Sequence, residues 1–154
     1  VAGGICDDQA AARARCEQAV TSGAAADVFG RMCAELGGPT DFVEKFDAYL
    51  PAAKVVRPVY AQGILSTVNT RGVGNAVIEL GGGRRKVGEA LDLSVGFTGF
   101  AATGQQLDKD RPLAIVHAAS EAAADKAASN LLAACQITEG PVAPRPVIVD
   151  ILTG

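Results

Sequence analysis

The residues best suited to chemistry lie in one short segment, in which three glycines precede three cations: Gly81, Gly82, Gly83, Arg84, Arg85 and Lys86. Glycines let backbone amides approach an anion closely, and Arg and Lys side chains bind phosphate. A phosphate-binding loop normally begins a helix, so that its free N–H groups face the ligand. These glycines instead follow a predicted helix, where free carbonyl groups disfavour anions. The segment therefore predicts a mobile basic loop and not a primary phosphate site.

The other reactive side chains do not form a recognisable site. His117, the only histidine, ends an apolar stretch, which favours a structural role. Asp92, Asp108 and Asp110 lie in or beside predicted turns, where acidic side chains are usually solvated. No GxSxG nucleophile motif occurs, and the four cysteines form no CxxC pair, so free thiols are expected. The residues taken alone therefore assign no catalytic, substrate-binding or metal-binding residue.

The composition is that of an ordinary folded domain, or of one domain with an appendage. The 154 residues are 49% apolar and 20% charged, with a net charge of −3. This balance excludes a nucleic-acid binder that relies on bulk positive charge, and also a disordered acidic chain. No apolar run approaches the ~18 residues of a membrane helix, and no signal peptide is recognised. We therefore expect a cytoplasmic protein without membrane contacts, and its first residue, Val1, leads us to expect a fragment or a processed chain.

The first 50 residues are expected to be helical. Two apolar stripes with helical spacing predict the second and third of three helices, over 7–20, 24–36 and 41–50. Gly37 is expected to end the second helix, and Thr40 to cap the third. This part carries four basic and eight acidic residues, whereas the remainder carries ten basic and nine acidic residues. The difference in charge favours a domain boundary near Pro51.

After Pro51 the pattern changes to short strands and two helices. Alternating or compact apolar runs predict strands over 54–61, 63–68, 91–97, 112–117 and 147–152. Pro58 places the first of these at a sheet edge or a bulge. One helix is expected after Asn69 or Thr70, and another over 121–135 with Ser120 as its cap. Three helices followed by a mixture of strands and helices predict an α+β fold.

Several short runs of residues, in a fixed order along the chain, carry a resemblance to a known family. They are FGRMCAELGGPTDFVEKFDAYLP at 29–51, Val59 to Ala61, Thr70-Arg71, VIELGGGRR at 77–85, DLSVGFT at 92–98 and RPLAIVHA at 111–118. Together they closely resemble the carboxyl-terminal region of thymidine phosphorylases and pyrimidine nucleoside phosphorylases. The likeness covers most of the chain, and is looser up to about residue 20. Asn69 departs from it, because an acidic residue is expected before Thr-Arg.

The resemblance implies an activity that this chain is not expected to have alone. Such enzymes split thymidine or deoxyuridine with inorganic phosphate, their co-substrate, to give the free base and 2-deoxyribose 1-phosphate. They are cytoplasmic homodimers that use no other cofactor. Their phosphate-binding and base-binding residues lie upstream of the matched region, so no catalytic or substrate-binding residue is carried over. The expected partners are the rest of the phosphorylase chain and, through it, nucleoside and phosphate.

The resemblance also implies an architecture. Residues 1–50 would be the last helices of the larger α/β domain, and residues 51–154 the carboxyl-terminal domain of the phosphorylase. That domain is expected to be an α/β-hammerhead, similar to barrel-sandwich hybrids. The basic loop over 81–86 would lie beside the cleft between the two domains of the enzyme, and would stabilise its closed form.

Two alternatives remain open from the sequence. Residues 104–113 have the turn-then-strand pattern of biotinyl and lipoyl carrier domains, which present a modified lysine on a hairpin. Lys109 lies there, but it lacks the Met-Lys-Met or Asp-Lys-Ala neighbours of such lysines. The other alternative is an interaction domain with no enzymatic parent.

Overall fold

The computed structural model describes residues 1–143 and 150, and it divides the chain into two units, Val1–Leu50 and Pro51–Gly154. The described residues form three helices in the first unit, and two helices with two small antiparallel sheets in the second. The predicted α+β class is therefore confirmed. No helix in the described part of the chain is both long enough and apolar enough to cross a membrane.

The first unit contains α1 (Gln9–Thr21), α2 (Ala24–Glu35) and α3 (Phe42–Tyr49). Asp8 caps α1, because its carboxylate accepts a hydrogen bond from the Ala11 backbone N–H at 2.8 Å. The prediction that Thr40 caps α3 is wrong, since Asp41 occupies that position. The Asp41 carboxylate binds the Lys45 ammonium at 2.8 Å and the Tyr49 hydroxyl at 2.6 Å.

Apolar side chains hold α2 and α3 together but remain accessible. The ring of Phe42 lies 6.2 Å from that of Phe29 and 6.4 Å from that of Tyr49, measured between ring centroids. None of the residues of these three helices is buried. The larger exposed apolar side chains of α2, α3 and their C-terminal ends are Val28, Phe29, Met32, Leu36, Phe46, Tyr49 and Leu50.

The second unit begins with strands that pair over long distances in the sequence. Its strands are β1 (Val55–Val59), β2 (Gly63–Val68), β3 (Gly96–Thr98), β4 (Gln106–Leu107), β5 (Ala114–Ala118) and β6 (Cys135–Thr138). One sheet has the order β1-β5-β3 and the other β4-β2-β6, and every pairing is antiparallel. Pro58 lies in β1, which is at the edge of its sheet among the described strands, as predicted from the missing N–H of proline.

The two helices of this unit lie side by side because of how they are connected. Helix α4 (Thr70–Leu80) follows β2, and α5 (Glu121–Ala133) precedes β6, the antiparallel partner of β2. The Asn69 backbone N–H donates to the Ala134 carbonyl at 2.8 Å where the two helices meet the sheet. A Cβ on Gly72 would lie only 3.0 Å from the Ala134 Cβ, so glycine permits this close approach.

The core lies between α5 and the strands. Ala124, Ala127 and Leu131 of α5 are buried, together with Leu65 of β2 and Val116 of β5. Alanines on the buried face let the helix approach the sheet closely, and the larger strand residues fill the remaining space. On the surface, the Arg57 guanidinium of β1 binds the carboxylates of Glu121 and Asp125 of α5.

Several sequence predictions in this unit are wrong at their ends: the strands expected over 54–61 and 112–117 are Val55–Val59 and Ala114–Ala118. The strand expected over 91–97 begins only at Gly96, because the Asp92 carboxylate accepts bonds from the Ser94 backbone N–H and hydroxyl at 2.9 and 2.6 Å and forms a turn. The helix expected over 121–135 ends at Ala133, because Cys135 pairs with Val68 as the first residue of β6. The strand predicted over 147–152 lies largely outside the described residues.

The caps predicted for the two helices of this unit, Ser120 and one of Asn69 or Thr70, are confirmed, with Asn69 as the cap of α4. Both caps are directly testable. The Asn69 amide oxygen accepts from the Gly72 backbone N–H at 3.1 Å, and the Ser120 hydroxyl from Ala123 at 3.3 Å. We expect Asn69→Ala to lower the free energy of unfolding by about 1 kcal/mol, whereas Asn69→Asp should retain it. Urea denaturation of the three proteins measures this difference.

Asn75→Ala is the matched control, because it removes the same side chain from an exposed position of α4 that makes no hydrogen bond among the described residues. It should be neutral or slightly stabilising, since Ala is the better helix former. A loss in Asn75→Ala equal to that in Asn69→Ala would contradict the cap assignment.

Candidate functional site: the basic loop after helix α4

The basic loop, residues Gly81 to Lys86, starts from a well-defined helix end. Gly81 adopts a left-handed conformation with φ 100°. Its N–H donates to the Ile78 carbonyl at 3.0 Å, and the Gly82 N–H donates to the Val77 carbonyl, also at 3.0 Å. This is a Schellman motif, which satisfies carbonyl groups that a helix would otherwise leave free. The sequence analysis expected free carbonyl groups at this helix end. The carbonyls of Val77 and Ile78 instead already accept hydrogen bonds from the Gly82 and Gly81 backbone N–H groups.

The next two glycines serve close packing. A Cβ on Gly82 would lie 3.0 Å from Val77 Cγ1 and 3.3 Å from Val95 Cγ2. A Cβ on Gly83 would lie 2.5 Å from Ile78 Cγ1 and 3.2 Å from the Ile78 Cα. The loop thus folds back against the last turn of α4. The sequence analysis expected a mobile loop because glycine has wide conformational freedom. The structure supplies a second reason for glycine at these two positions, which is the close contact with Val77 and Ile78.

A carboxylate binds the backbone of the loop. The N–H groups of Arg85 and Lys86 both donate to Oε2 of Glu89, at 2.7 and 3.3 Å. The Arg84 Nε donates to the Glu89 backbone carbonyl at 3.2 Å. Gly88, with φ 85°, provides the turn that brings Glu89 back to these amides. An anion is therefore held by amides of this segment, a little beyond the glycines themselves.

Of the three cationic side chains of the loop, only that of Arg84 makes a hydrogen bond within the described residues. Within the described residues, the Arg85 guanidinium and the Lys86 ammonium have no hydrogen-bond or ion-pair partner. The pKa of the Glu79 carboxyl is lowered, first by its hydrogen bond with Lys126 and to a smaller extent by the nearby charge of Arg85. Two exposed cations therefore remain available to an anionic partner.

Glu89 was missed in the sequence analysis, although a signal was present. It lies three residues after Lys86 and directly follows a glycine, a spacing at which a carboxylate can turn back to the preceding backbone amides. The sequence predicted the position and charge of the loop, and the local hydrogen bonds came from the structure.

The other candidate residues make hydrogen bonds within strands and turns of the second unit. His117 of β5 has its Nε2 2.8 Å from the Thr98 hydroxyl oxygen of β3, a hydrogen bond between neighbouring strands. The pKa of Asp92 is lowered by its hydrogen bonds with Ser94. The pKa of Asp108 is lowered by the backbone N–H groups of Asp110 and Arg111. No group of three metal-ligating side chains occurs among the residues that the structure describes.

Lys109 occupies an exposed turn, which bears on the carrier alternative. Its side chain is 88% exposed, and its ammonium lies 3.1 Å from the Asp110 carboxylate. The Asp108 carboxylate fixes this turn by accepting from the N–H groups of Asp110 and Arg111 at 2.8 and 2.9 Å. The turn therefore presents a lysine between two acidic residues, which differs from the neighbours of carrier lysines.

A comparison with protein families finds a match within the second unit. Residues 64–138 match the model of the pyrimidine nucleoside phosphorylase C-terminal domain, just under half of the chain. The match runs from β2 to the end of β6. It includes both helices, the basic loop and the Lys109 turn, and it therefore favours the phosphorylase interpretation over a carrier domain.

The close packing of the basic loop gives a prediction. We expect Gly83→Ala to destabilise the protein by about 1–3 kcal/mol, because the added Cβ would overlap Ile78. Gly74→Ala, within α4, is the control, since a Cβ there meets nothing within 4 Å. It should stabilise the protein by about 0.5–1 kcal/mol. Thermal unfolding measures both, and a neutral Gly83→Ala would show that the loop does not pack on α4.

Proposed function

We propose that this chain is the carboxyl-terminal part of a thymidine phosphorylase, because residues 64–138 match the model of the pyrimidine nucleoside phosphorylase C-terminal domain. The parent enzyme would transfer 2-deoxyribose from thymidine or deoxyuridine to inorganic phosphate. In that reaction a phosphate oxygen bonds to C1′ while the bond from C1′ to the base breaks. The family match is the observation that carries this proposal, and the likeness of the sequence to thymidine phosphorylases supports the choice of substrate.

The basic loop is proposed to act in closure of the active-site cleft. Its cations follow a helix end that is fixed by the Schellman motif and by the contact of Gly83 with Ile78. The side chains of Arg85 and Lys86 are exposed and unpaired among the described residues. An arginine can bind a carboxylate through two parallel hydrogen bonds. These properties suit contacts that form when another domain of the enzyme approaches.

The rest of the phosphorylase chain is the proposed partner of the first unit. Helices α1, α2 and α3 bury none of their own residues, and α2 exposes Phe29 and Met32 by 47% and 49%. Exposed apolar surfaces of this kind mark contacts with other protein. We propose that upstream parts of the parent chain cover them, and that the parent is a cytoplasmic homodimer with phosphate as its co-substrate and no other cofactor.

This chain alone is expected not to phosphorolyse thymidine. General acid–base and electrostatic catalysis require groups in contact with the reacting sugar and phosphate. The described residues contain no such set, and the residues expected to bind phosphate and base lie upstream. Incubation with thymidine and phosphate should release no thymine above the rate in buffer. Turnover by protein free of any full-length phosphorylase would contradict this prediction.

Loss of the two arginines should weaken the parent enzyme. Replacing Arg84 and Arg85 together with Ala in the full-length phosphorylase is expected to lower kcat/KM by roughly 5- to 150-fold, the range of a typical coupling between conformational states. Equilibrium phosphate affinity of the open enzyme should remain nearly unchanged. Replacing both with Lys keeps the charge but removes bidentate binding, and should recover only part of the loss.

Steady-state kinetics and equilibrium phosphate binding on the same three proteins separate the possible roles. A collapse of phosphate affinity in the open form of the Ala variant would make the loop a ligand site and exclude a pure closure role. Unchanged kcat/KM would exclude both roles.

A further inference from the structure

We propose that the backbone amides of Arg85 and Lys86 form an oxyanion-binding nest, that Glu89 fills this nest as an internal ligand, and that removal of Glu89 opens it to an external phosphate or carboxylate. This nest is separate from the site at which the proposed parent enzyme would bind its inorganic phosphate. Its biological role rests on the proposed closure of the cleft, whereas its binding chemistry does not.

The geometry of the nest is defined by a single acceptor. Both N–H groups point at the same oxygen, Oε2 of Glu89, at 2.7 and 3.3 Å. Successive backbone amides that converge on one point form the concave anion site known from phosphate-binding loops. The Glu89 N–H donates back to the Lys86 carbonyl at 3.3 Å, which closes the turn around the bound carboxylate.

The charge around the nest favours a further anion. Arg84, Arg85 and Lys86 bring three positive charges to the segment, and Glu89 contributes one negative charge. The Arg84 guanidinium is tied through Nε to the Glu89 backbone carbonyl, while the other two side chains have no partner in the described parts of the chain. An external oxyanion in place of Glu89 would therefore gain two amide bonds and two unpaired cations.

A short tether makes Glu89 a strong competitor. A carboxylate three residues from Lys86 has a local concentration that can reach the millimolar range or above. Dilute free anions will therefore not displace it. An oxyanion presented on an approaching protein surface also has a high local concentration, and can exchange with Glu89. The nest would then distinguish an anion on a docked surface from one free in solution.

Binding of simple anions to the intact 154-residue chain tests this proposal. We would follow the Arg85 and Lys86 amide signals by NMR while adding inorganic phosphate and, separately, acetate at constant ionic strength. In Glu89→Ala we expect saturable shifts at both amides, at anion concentrations about tenfold or more lower than in wild type, because the competing carboxylate and its two charge-assisted hydrogen bonds are lost. Glu89→Gln should lie between the two. The two anions show whether the emptied nest prefers a phosphate or a carboxylate.

Glu139→Ala is the matched control. It removes the same charge from an exposed glutamate of the second unit that makes no contact with the loop among the described residues. It should behave like wild type. Unchanged methyl signals of the buried Leu65 and Leu131 show that a variant is folded. Should Glu89→Ala fail this check, Glu89→Gln provides the same comparison.

Two results would overturn the proposal. One is the absence of saturable shifts at Arg85 and Lys86 in the folded Glu89 variants. The other is an equal gain of anion binding in Glu139→Ala, which would show that only net charge matters. Neither result depends on phosphorolysis, so a failure of the nest can be distinguished from a failure of the proposed function.

Discussion

The close packing of α5 determines where the other parts of the second unit lie. Buried alanines at 124 and 127 allow this helix to approach β5 and β1, and they leave room for α4 along its side. Its last turn leads directly into β6, which pairs with β2 and thereby fixes the start of α4. The helix gains little from large apolar side chains of its own, apart from Leu131. Its stability depends on the strand residues that pack against it.

The position of α4 in turn fixes the basic loop. The Schellman motif at Gly81 ends the helix and directs the chain back toward Ile78, where only glycine fits at position 83. The Asp92 N–H then donates to the Gly81 carbonyl at 3.0 Å and returns the chain to the helix end. A glycine-rich, highly charged segment is thus held by backbone hydrogen bonds and close contacts. Its cations can remain exposed without the segment being unstructured.

Local chemistry was predictable from the sequence, and long-range pairing was not. Ser120, and either Asn69 or Thr70, were expected to be caps because a cap depends on a side chain and an amide two or three residues away. The strand expected over 91–97 was wrong because alternation of apolar residues does not reveal the competing Asp92 turn. Strands β4 and β6 are two and four residues long and owe their existence to β2, so no local pattern indicates them. The cations of the loop were found because they form a run in the sequence, whereas Glu89 was missed although its contacts with Arg85 and Lys86 are local too.

Amide hydrogen exchange along residues 81–89 tests most directly whether the basic loop is held on α4. If it is held as the structure shows, the Gly82 and Arg85 amides, bound to the Val77 carbonyl and the Glu89 carboxylate, should exchange about tenfold or more slowly than their intrinsic rates. The Val87 amide, which has no partner among the described residues, should exchange at its intrinsic rate. Exchange of Gly82 and Arg85 as fast as that of Val87 would contradict this and show a loop that is mobile in solution.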